Sequence, residues 1–499
     1  MKTMLDRGAG ILMPVSSLPS PYGIGTFGKA AYEFVDFLKK ARQKYWQVLP
    51  VGPTSYGDSP YQSFSAFAGN PYFIDLDTLV EEELLTREEI DACYWGDDEA
   101  QVAYDTVFWY RFPLLKKAHA RSEFHEEEGY EKFYMESWYW LNDYAFYMAL
   151  KFHFDNQEWL AWPEDIRFRK KDAVERYKEE LKEEIDFWKF LQYKFFQQWK
   201  KLRAYANSQG ISIIGDIPIY VALDSADVWT HPELFLLDEE NLTPLKVAGV
   251  PPDAFSEDGQ LWGNPLYRWD VQEKTDFAWW KERMKASGRL YDVVRIDHFI
   301  GVVQYYAIPA GAEDGKAGEW LKGPGKKLTD AIGQVIGDTK IIAEDLGIFV
   351  PEVKALLEET GYPGMKIIEF AFSGDRFNEH LPHMYTPNSV VYGGTHDNET
   401  LVGYFKPEER QWWELQYIAD YMGVSHQDQV VDRVMFTAYG SVASVVIFQA
   451  QDCLKLENCA RKNTPGTVGS NWRWRMRSGE LNQGHADHLA WLVDTFGRF

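Results

Sequence analysis

Cysteine is scarce in this chain, and the few that occur have no recognisable motif spacing. Among 499 residues there are three cysteines, and no pair has the two-residue separation of a CxxC motif. Neither a disulfide framework nor a zinc ribbon is indicated, and a reducing compartment is favoured. The three are Cys93, Cys453 and Cys459.

Long hydrophobic runs are also missing. The chain starts MKTMLDRGAGILMP, which places Asp6 and Arg7 where a signal peptide needs an apolar segment. No uninterrupted apolar stretch approaches the roughly 18 residues that a membrane helix needs. We therefore expect a cytoplasmic protein that does not enter a membrane.

Positive charge is in deficit, with 52 Lys and Arg against 76 Asp and Glu and a formal net charge of -24. Binding to DNA, RNA or an anionic membrane needs a positive surface, so these partners are not expected. Aromatic residues, in contrast, make up 16% of the chain and include 20 Trp. Some must fill the core, but this abundance also suits stacking against the rings of a neutral sugar substrate.

Two possible cofactor motifs are incomplete. The letters GIGTFG at 23–28 match GxGxxG, but SSLPSPY separates them from the preceding strand, and the next strand ends without an acidic residue. The GPGKK segment at 323–327 lacks the spacing of a phosphate-binding loop. His380 and His383 have no third ligand nearby in sequence. We therefore expect no nucleotide, no other cofactor and no metal.

Eight apolar segments alternate with helix-patterned segments along the chain. This order predicts an α/β protein, a (β/α)8 TIM barrel with large insertions in its βα loops. We expect one catalytic barrel over 1–499, with a mostly helical insertion at 77–205 and a loop-rich insertion at 221–290 that contributes to the substrate groove. The expected strands lie within 10–17, 45–51, 211–220, 291–301, 340–347, 364–371, 390–398 and 441–449.

Three of these segments end in acidic residues. In VVRID, Arg295 and Asp297 are two positions apart and therefore point to the same side of a strand. IIAED ends at Glu344 and Asp345, and VVYGGTHD ends at Asp397. Reactive groups gather at the C-terminal ends of barrel strands, and two carboxyl groups about 5–5.5 Å apart form the retaining glycosidase arrangement. One such strand could carry a structural ion pair instead; three favour a catalytic site.

Seven longer motifs extend over nearly the whole chain. RIDHF or HDN alone indicates only the α-amylase superfamily, whereas the SPYQ and PPDAFS…GQLWGNP segments together are far more specific. On these motifs the chain resembles the amylomaltases, the 4-alpha-glucanotransferases of that superfamily. The motifs are SPYQSFSAFAGNP (59–71), GDIPIYVALDSADVW (215–229), GVPPDAFSEDGQLWGNPLYRW (249–269), VRIDHF (294–299), AEDLG (343–347), GTHDN (394–398) and NTPGT (463–467).

The resemblance implies a retaining transfer of an alpha-1,4-glucan segment to a new 4-position. Its partners would be alpha-1,4-glucans and maltooligosaccharides, with glucose as an acceptor. By resemblance Asp297 is the nucleophile, Glu344 the general acid/base and Asp397 the carboxylate that holds sugar hydroxyls. We expect Arg295 to lower the pKa of Asp297, and burial with nearby carboxylates to raise that of Glu344.

The resemblance also implies a set of substrate contacts. For the loop aromatics the alternative is packing within a rigid loop, and for the two histidines it is a structural role behind the site. The residues at these positions are Ser59, Tyr61, Asp216, Asp253, Trp262, Arg295, His298, His396 and Asn463.

Two other functions are compatible with the same residues. An alpha-amylase-type hydrolase would use the same three carboxylates but pass the sugar to water. A non-catalytic glucan-binding protein would use the aromatics alone, and the complete set of Asp297, Glu344 and Asp397 argues against it. The choice of transfer over hydrolysis rests mainly on the resemblance.

Overall fold

A computed structural model describes residues 5–252 and 257–499. Eight of its strands form one parallel sheet, and four form a separate antiparallel sheet. In chain order the strands are β1 (Gly8–Leu12), β2 (Tyr45–Gln47), β3 (Ser212–Pro218), β4 (Lys246–Val250), β5 (Gln260–Pro265), β6 (Val293–Asp297), β7 (Gln304–Pro309), β8 (Glu319–Lys322), β9 (Lys340–Ala343), β10 (Gly364–Ile367), β11 (Ser389–Tyr392) and β12 (Val445–Gln449).

The parallel sheet is the predicted barrel. Its order is β10-β11-β12-β1-β2-β3-β6-β9, so strands that follow one another in the barrel sequence are neighbours in space. Between β9 and β10 the Ala343 N–H donates to the carbonyl of Pro363 at 3.0 Å, which brings the two ends of the sheet together. The (β/α)8 fold expected from the sequence is confirmed.

The barrel strands are buried on both faces, and β6 shows how their residues divide. Val294 and Ile296 belong to the main core, which lies between the sheet and the surrounding helices. Val293 belongs to a smaller apolar cluster that alternate residues of the strands form inside the barrel. With a period of two, Arg295 and Asp297 share this inner side. The sequence of β6 therefore directs its two charged residues toward the barrel axis.

Helices surround the barrel and fill its longest insertion. The residues between β2 and β3, where we expected a mostly helical segment at 77–205, contain α2 to α8, and the long helices α5 and α8 pack against each other. In chain order the helices are α1 (Lys29–Lys40), α2 (Leu76–Glu81), α3 (Arg87–Asp91), α4 (Tyr104–Arg121), α5 (Glu128–His153), α6 (Glu164–Arg167), α7 (Lys171–Glu180), α8 (Lys182–Ser208), α9 (Ala226–Thr230), α10 (Trp269–Lys274), α11 (Ala278–Leu290), α12 (Ile300–Val303), α13 (Lys326–Gly333), α14 (Pro351–Thr360), α15 (Leu401–Tyr404), α16 (Trp412–Met422), α17 (Val430–Gly440), α18 (Ala450–Cys453) and α19 (Gln483–Phe496).

The antiparallel sheet was not anticipated from the sequence. Strands β4 and β5 come from the stretch 221–290, where we expected loops, and they pair with β7 and β8 in the order β5-β4-β7-β8. The side chain of Trp262 on β5 reaches the mouth of the barrel. This sheet is therefore the wall that carries Trp262 to the candidate site. Within 5–252 and 257–499, no helix has both the length and the apolarity needed to cross a membrane.

Candidate active site

The C-terminal ends of β3, β6 and β9 lie side by side and bring the first acidic residues together. Asp216 is paired in register with Arg295, and Ile296 with Ala343, so that Glu344 follows directly beside Asp297. The Glu344 carboxyl accepts a hydrogen bond from the backbone N–H of His298 at 2.6 Å. The expectation that these strand ends meet at one mouth of the barrel agrees with this geometry.

Asp397 reaches the same mouth from the turn that follows β11. Its Oδ1 accepts a hydrogen bond from Asn463 Nδ2 at 2.6 Å, and its Oδ2 lies 3.4 Å from His396 Nε2. Arg461 Nη2 donates to the backbone carbonyl of Asp397 at 2.6 Å. With 45% of its side chain exposed, Asp397 remains available to a ligand.

These groups open into a cleft of about 310 Å³ at the mouth of the barrel. A cavity of this size with a few convergent polar groups is what a small-molecule or sugar site needs. Glu344 lies beside the cleft, because its carboxyl binds the backbone N–H of His298, a residue of the lining. The expected site residues on its lining are Ser59, Tyr61, Trp262, Asp297, His298, His396, Asp397 and Asn463.

Arg295 is held on three sides inside the barrel. Its Nη1 donates to Asp216 Oδ2 at 2.6 Å, its Nη2 lies 2.8 Å from Asp297 Oδ1, and its Nε donates to Met365 Sδ at 3.4 Å. The side chains of Arg295 and Asp216 are 4% and 0% exposed, while that of Asp297 is 28% exposed. Because a buried cation is costly unless it is paired, this network fixes the direction in which Asp297 points.

The environments of Asp297 and Glu344 separate their protonation states. Burial raises the pKa of Asp297 to about 6, although Arg295 opposes the shift. Our expectation of a lowered pKa was therefore wrong for the net value, because burial outweighs the ion pair. Burial and the nearby Asp297 raise the pKa of Glu344 to about 8, against two backbone N–H donors from His298 and Leu346. At neutral pH Asp297 is mostly ionised and Glu344 mostly protonated.

Tyr61 links the two sides of the cleft. Its hydroxyl donates to Asp216 Oδ2 at 2.7 Å and lies 3.3 Å from His396 Nδ1. Its ring stacks on the imidazole of His396, with 4.9 Å between centroids and 17° between planes. Trp472 packs against both rings, and Ser59 Oγ accepts from the Tyr61 N–H at 3.3 Å.

His298 and Trp262 form the opposite wall. Their rings are perpendicular, with centroids 4.8 Å apart. His298 has a φ of 51°, a left-handed conformation that is unusual for a residue with a side chain and is often found at functional sites. Burial lowers the pKa of His298 to about 4, so its ring is neutral, and its Nε2 has no hydrogen-bond partner among the residues that the structure describes.

Three residues of this site were not predicted from the sequence, and one predicted residue lies outside the described part of the chain. Met365, Arg461 and Trp472 contact the key side chains, but only the alternation of GMKI, which turns Met365 toward the barrel interior, hinted at any of them. The predicted contact Asp253 lies outside the described residues. In the described part of the chain, no group of three or more His, Cys, Asp and Glu residues could hold a metal ion.

Comparison with known proteins places this chain in a family. A family model described as 4-alpha-glucanotransferase matches residues 13–482. A 4-alpha-glucanotransferase of Clostridium butyricum is 49% identical over 97% of this chain and 100% of its own length, and one of Thermus thermophilus is 44% identical over 99% of both. The structure of an amylomaltase from Streptococcus agalactiae in complex with acarbose has a TM-score of 0.95 and 42% identity, covering 98% of this chain and 99% of that one.

The sequence comparisons and the structural comparison each extend over nearly the whole chain. The resemblance to amylomaltases drawn from the sequence motifs is therefore confirmed. The chain belongs to the 4-alpha-glucanotransferase family and is a glucanotransferase enzyme.

Proposed function

We propose that this glucanotransferase transfers a segment of an alpha-1,4-glucan to the 4-hydroxyl of an acceptor glucan or glucose by a retaining double displacement. The observation that carries the proposal is the placement of two carboxyl groups at the ends of paired strands: Asp297 lines the cleft, and Glu344 lies beside it and binds the backbone N–H of His298. The higher pKa of Glu344, about 8 against about 6 for Asp297, supports the roles of acid and nucleophile. The names of the relatives support the activity, and the acarbose complex of the Streptococcus agalactiae amylomaltase supports an oligosaccharide ligand.

In the first displacement the Asp297 carboxylate attacks the anomeric carbon of the donor. A bond forms between Asp297 and the sugar, the glycosidic C–O bond breaks, and Glu344 gives its proton to the departing oxygen. In the second displacement Glu344 removes the proton of the acceptor 4-hydroxyl, whose oxygen replaces Asp297 at the same carbon. Two inversions leave the alpha configuration unchanged, and Glu344 is protonated again.

The other residues position the sugar and the nucleophile. Arg295 and Asp216 lie behind Asp297 and orient it through their ion pair. We assign the sugar hydroxyls to Asp397, with Asn463 and His396 fixing its carboxylate, because these contacts strengthen as the ring flattens in the transition state.

The remaining contacts are assigned to the walls of the groove. Tyr61 and Trp262 would stack against sugar rings, and His298, which lines the cleft beside Trp262, is assigned a substrate contact. Ser59 lies beside Tyr61 on the lining and is assigned a hydroxyl contact. Asp253, beyond the described residues, is kept as a proposed contact on the acceptor side.

Product profiling from pure maltotriose tests transfer against hydrolysis. We expect glucose together with maltooligosaccharides longer than the substrate, because an acceptor sugar bound in the cleft is at a far higher effective concentration than in solution. Chromatography of samples taken over time measures the amounts of glucose and of each maltooligosaccharide. Glucose and maltose alone, with a steady rise in reducing ends, would show that the alpha-amylase-type hydrolase is the correct alternative.

The pH dependence of kcat/KM for maltotriose tests the two protonation states. Asp297 must be ionised to attack, so activity rises through about pH 6, and Glu344 must be protonated, so activity falls through about pH 8. Initial rates across this range give both values. A profile with no acid limb above about pH 4, the ordinary range of an exposed Asp, would contradict the raised pKa of Asp297.

A further inference from the structure

A buried carboxyl group lies beneath the turn that presents Asp397. Glu369 lies two residues after the end of β10, in the short 3-10 turn Ile368–Phe370, and is 5% exposed. Its Oε2 accepts a hydrogen bond from Asn398 Nδ2 at 3.1 Å. Its Oε1 packs against Gly394, where an added Cβ would come within 2.4 Å, and has no hydrogen-bond partner in the part of the chain that the structure describes. The carboxyl is therefore enclosed, and only one of its oxygens is used.

A short series of hydrogen bonds leads from Glu369 to Asp397. Asn398 Oδ1 accepts from both the backbone N–H of Thr395 at 2.9 Å and its hydroxyl at 2.8 Å. The same hydroxyl oxygen accepts from the backbone N–H of Asp397 at 3.3 Å. The bond to Glu369 holds the amide of Asn398, and this amide in turn holds the backbone that carries Asp397.

The charges around Glu369 favour its neutral form. Asp452 on α18 is fully buried nearby, where burial raises its own pKa to about 7, and Glu399 adds negative charge. Arg461 opposes them, but its Nη2 already donates to the carbonyl of Asp397. Tyr404 of α15 donates its hydroxyl to the backbone carbonyl of Glu369, and not to the carboxyl. Burial and Asp452 raise the pKa of Glu369 well above its ordinary value.

We propose that Glu369 is a positioning residue for glucan transfer, which as a neutral carboxylic acid holds Asn398 and thereby the turn that carries Asp397. The proposal rests on the role given to Asp397 under the proposed function. In the neutral form the Oε2 carbonyl accepts the Asn398 N–H. An ionised Glu369 would add a further negative charge beside Asp452 and Glu399 in an enclosed space, and the turn would have to move to let water reach it.

Two substitutions at this position separate the hydrogen bond from the charge. Glu369→Gln keeps a carbonyl oxygen of the same size and no charge, so we expect kcat/KM at pH 7 to stay within about twofold of the original. Glu369→Met fills similar space but accepts no hydrogen bond, so we expect kcat/KM to fall about tenfold, the ratio typical of one lost buried hydrogen bond. Most of this loss should be in kcat, since Asp397 acts mainly on the transition state.

Infrared spectroscopy reads the protonation state directly. The difference spectrum of the unaltered protein minus Glu369→Gln at pH 7 should contain the C=O stretch of a protonated carboxylic acid, and the bands of all other carboxyl groups cancel. A carboxylate band in its place would overturn the proposal whatever the activity shows. This measurement does not need the Met variant to fold.

A double variant tests the route through Asn398. If Glu369 acts through this side chain, Glu369→Met combined with Asn398→Ala should cost no more than Asn398→Ala alone. Additive losses, or a Glu369→Met protein with a lower melting temperature but unchanged kcat, would show that Glu369 is only structural. Glu358→Gln, an exposed glutamate on α14, is the matched control for charge removal. If Asp397→Asn keeps full activity, the proposed function fails at Asp397, and this result is independent of the Glu369 spectrum.

Discussion

Replacing Asp297 by asparagine is expected to lower the rate of glucan transfer by on the order of 10⁴- to 10⁶-fold, the range found when a hydrolase loses its nucleophile or the group that supports it. The amide has the shape of the carboxylate but cannot form the glycosyl-enzyme bond. Its oxygen can still accept a hydrogen bond from Arg295, which keeps Asp216 as an ionic partner. The loss should therefore be almost entirely in kcat, with glucan binding retained.

The matched control lies at the other end of the same strand. Asp292 directly precedes β6 and binds Arg203 at 2.7 Å on the N-terminal side of the barrel, away from the cleft. We expect Asp292→Asn to lower the melting temperature and leave kcat nearly unchanged. If Asp297→Asn kept more than about a hundredth of the original rate, Asp297 would not be the nucleophile.

The barrel and the cluster of acidic residues at its mouth were predictable because their signals are local. Each barrel strand is a short apolar run buried on both faces, and such runs are rich in β-branched residues wherever they occur. In β6 the period of two alone places Arg295 and Asp297 on the same side. The meeting of Glu344, directly after β9, and Asp397, in the turn after β11, was predictable for a related reason, because parallel strands in a barrel all end at one mouth.

The antiparallel sheet and the net pKa of Asp297 were not predictable, because both depend on groups distant in sequence. Strand β4 contains glycine and β5 contains glycine and proline, so each resembles a loop until β7 pairs with β4. The charge of Arg295 is visible in the sequence, but the burial that outweighs it is a property of the assembled barrel. The position of Glu369 was not predictable either, since nothing in GMKIIEF indicates that its carboxyl lies under the turn of Asp397.

Replacing Glu344 by glutamine is expected to lower transfer from maltotriose about 10²- to 10⁴-fold and to abolish the alkaline limb of the pH profile. Glutamine can accept one of the two backbone N–H groups that now bind the carboxyl, from His298 and Leu346, but it cannot donate or remove the required proton. An alkaline limb that persists near pH 8 in this variant would assign that limb to another group.

The same variant can test the covalent intermediate, because each displacement can be supplied with a reactant that needs no proton transfer. The fluoride ion of an alpha-maltosyl fluoride leaves without protonation, so the first displacement should still occur. Mass spectrometry should then find a maltosyl group on the peptide that contains Asp297. Azide attacks without a base, so adding it should restore turnover and yield an alpha-maltosyl azide through two inversions. A beta-maltosyl azide would mean that azide displaced fluoride directly, and the double displacement through Asp297 would be wrong.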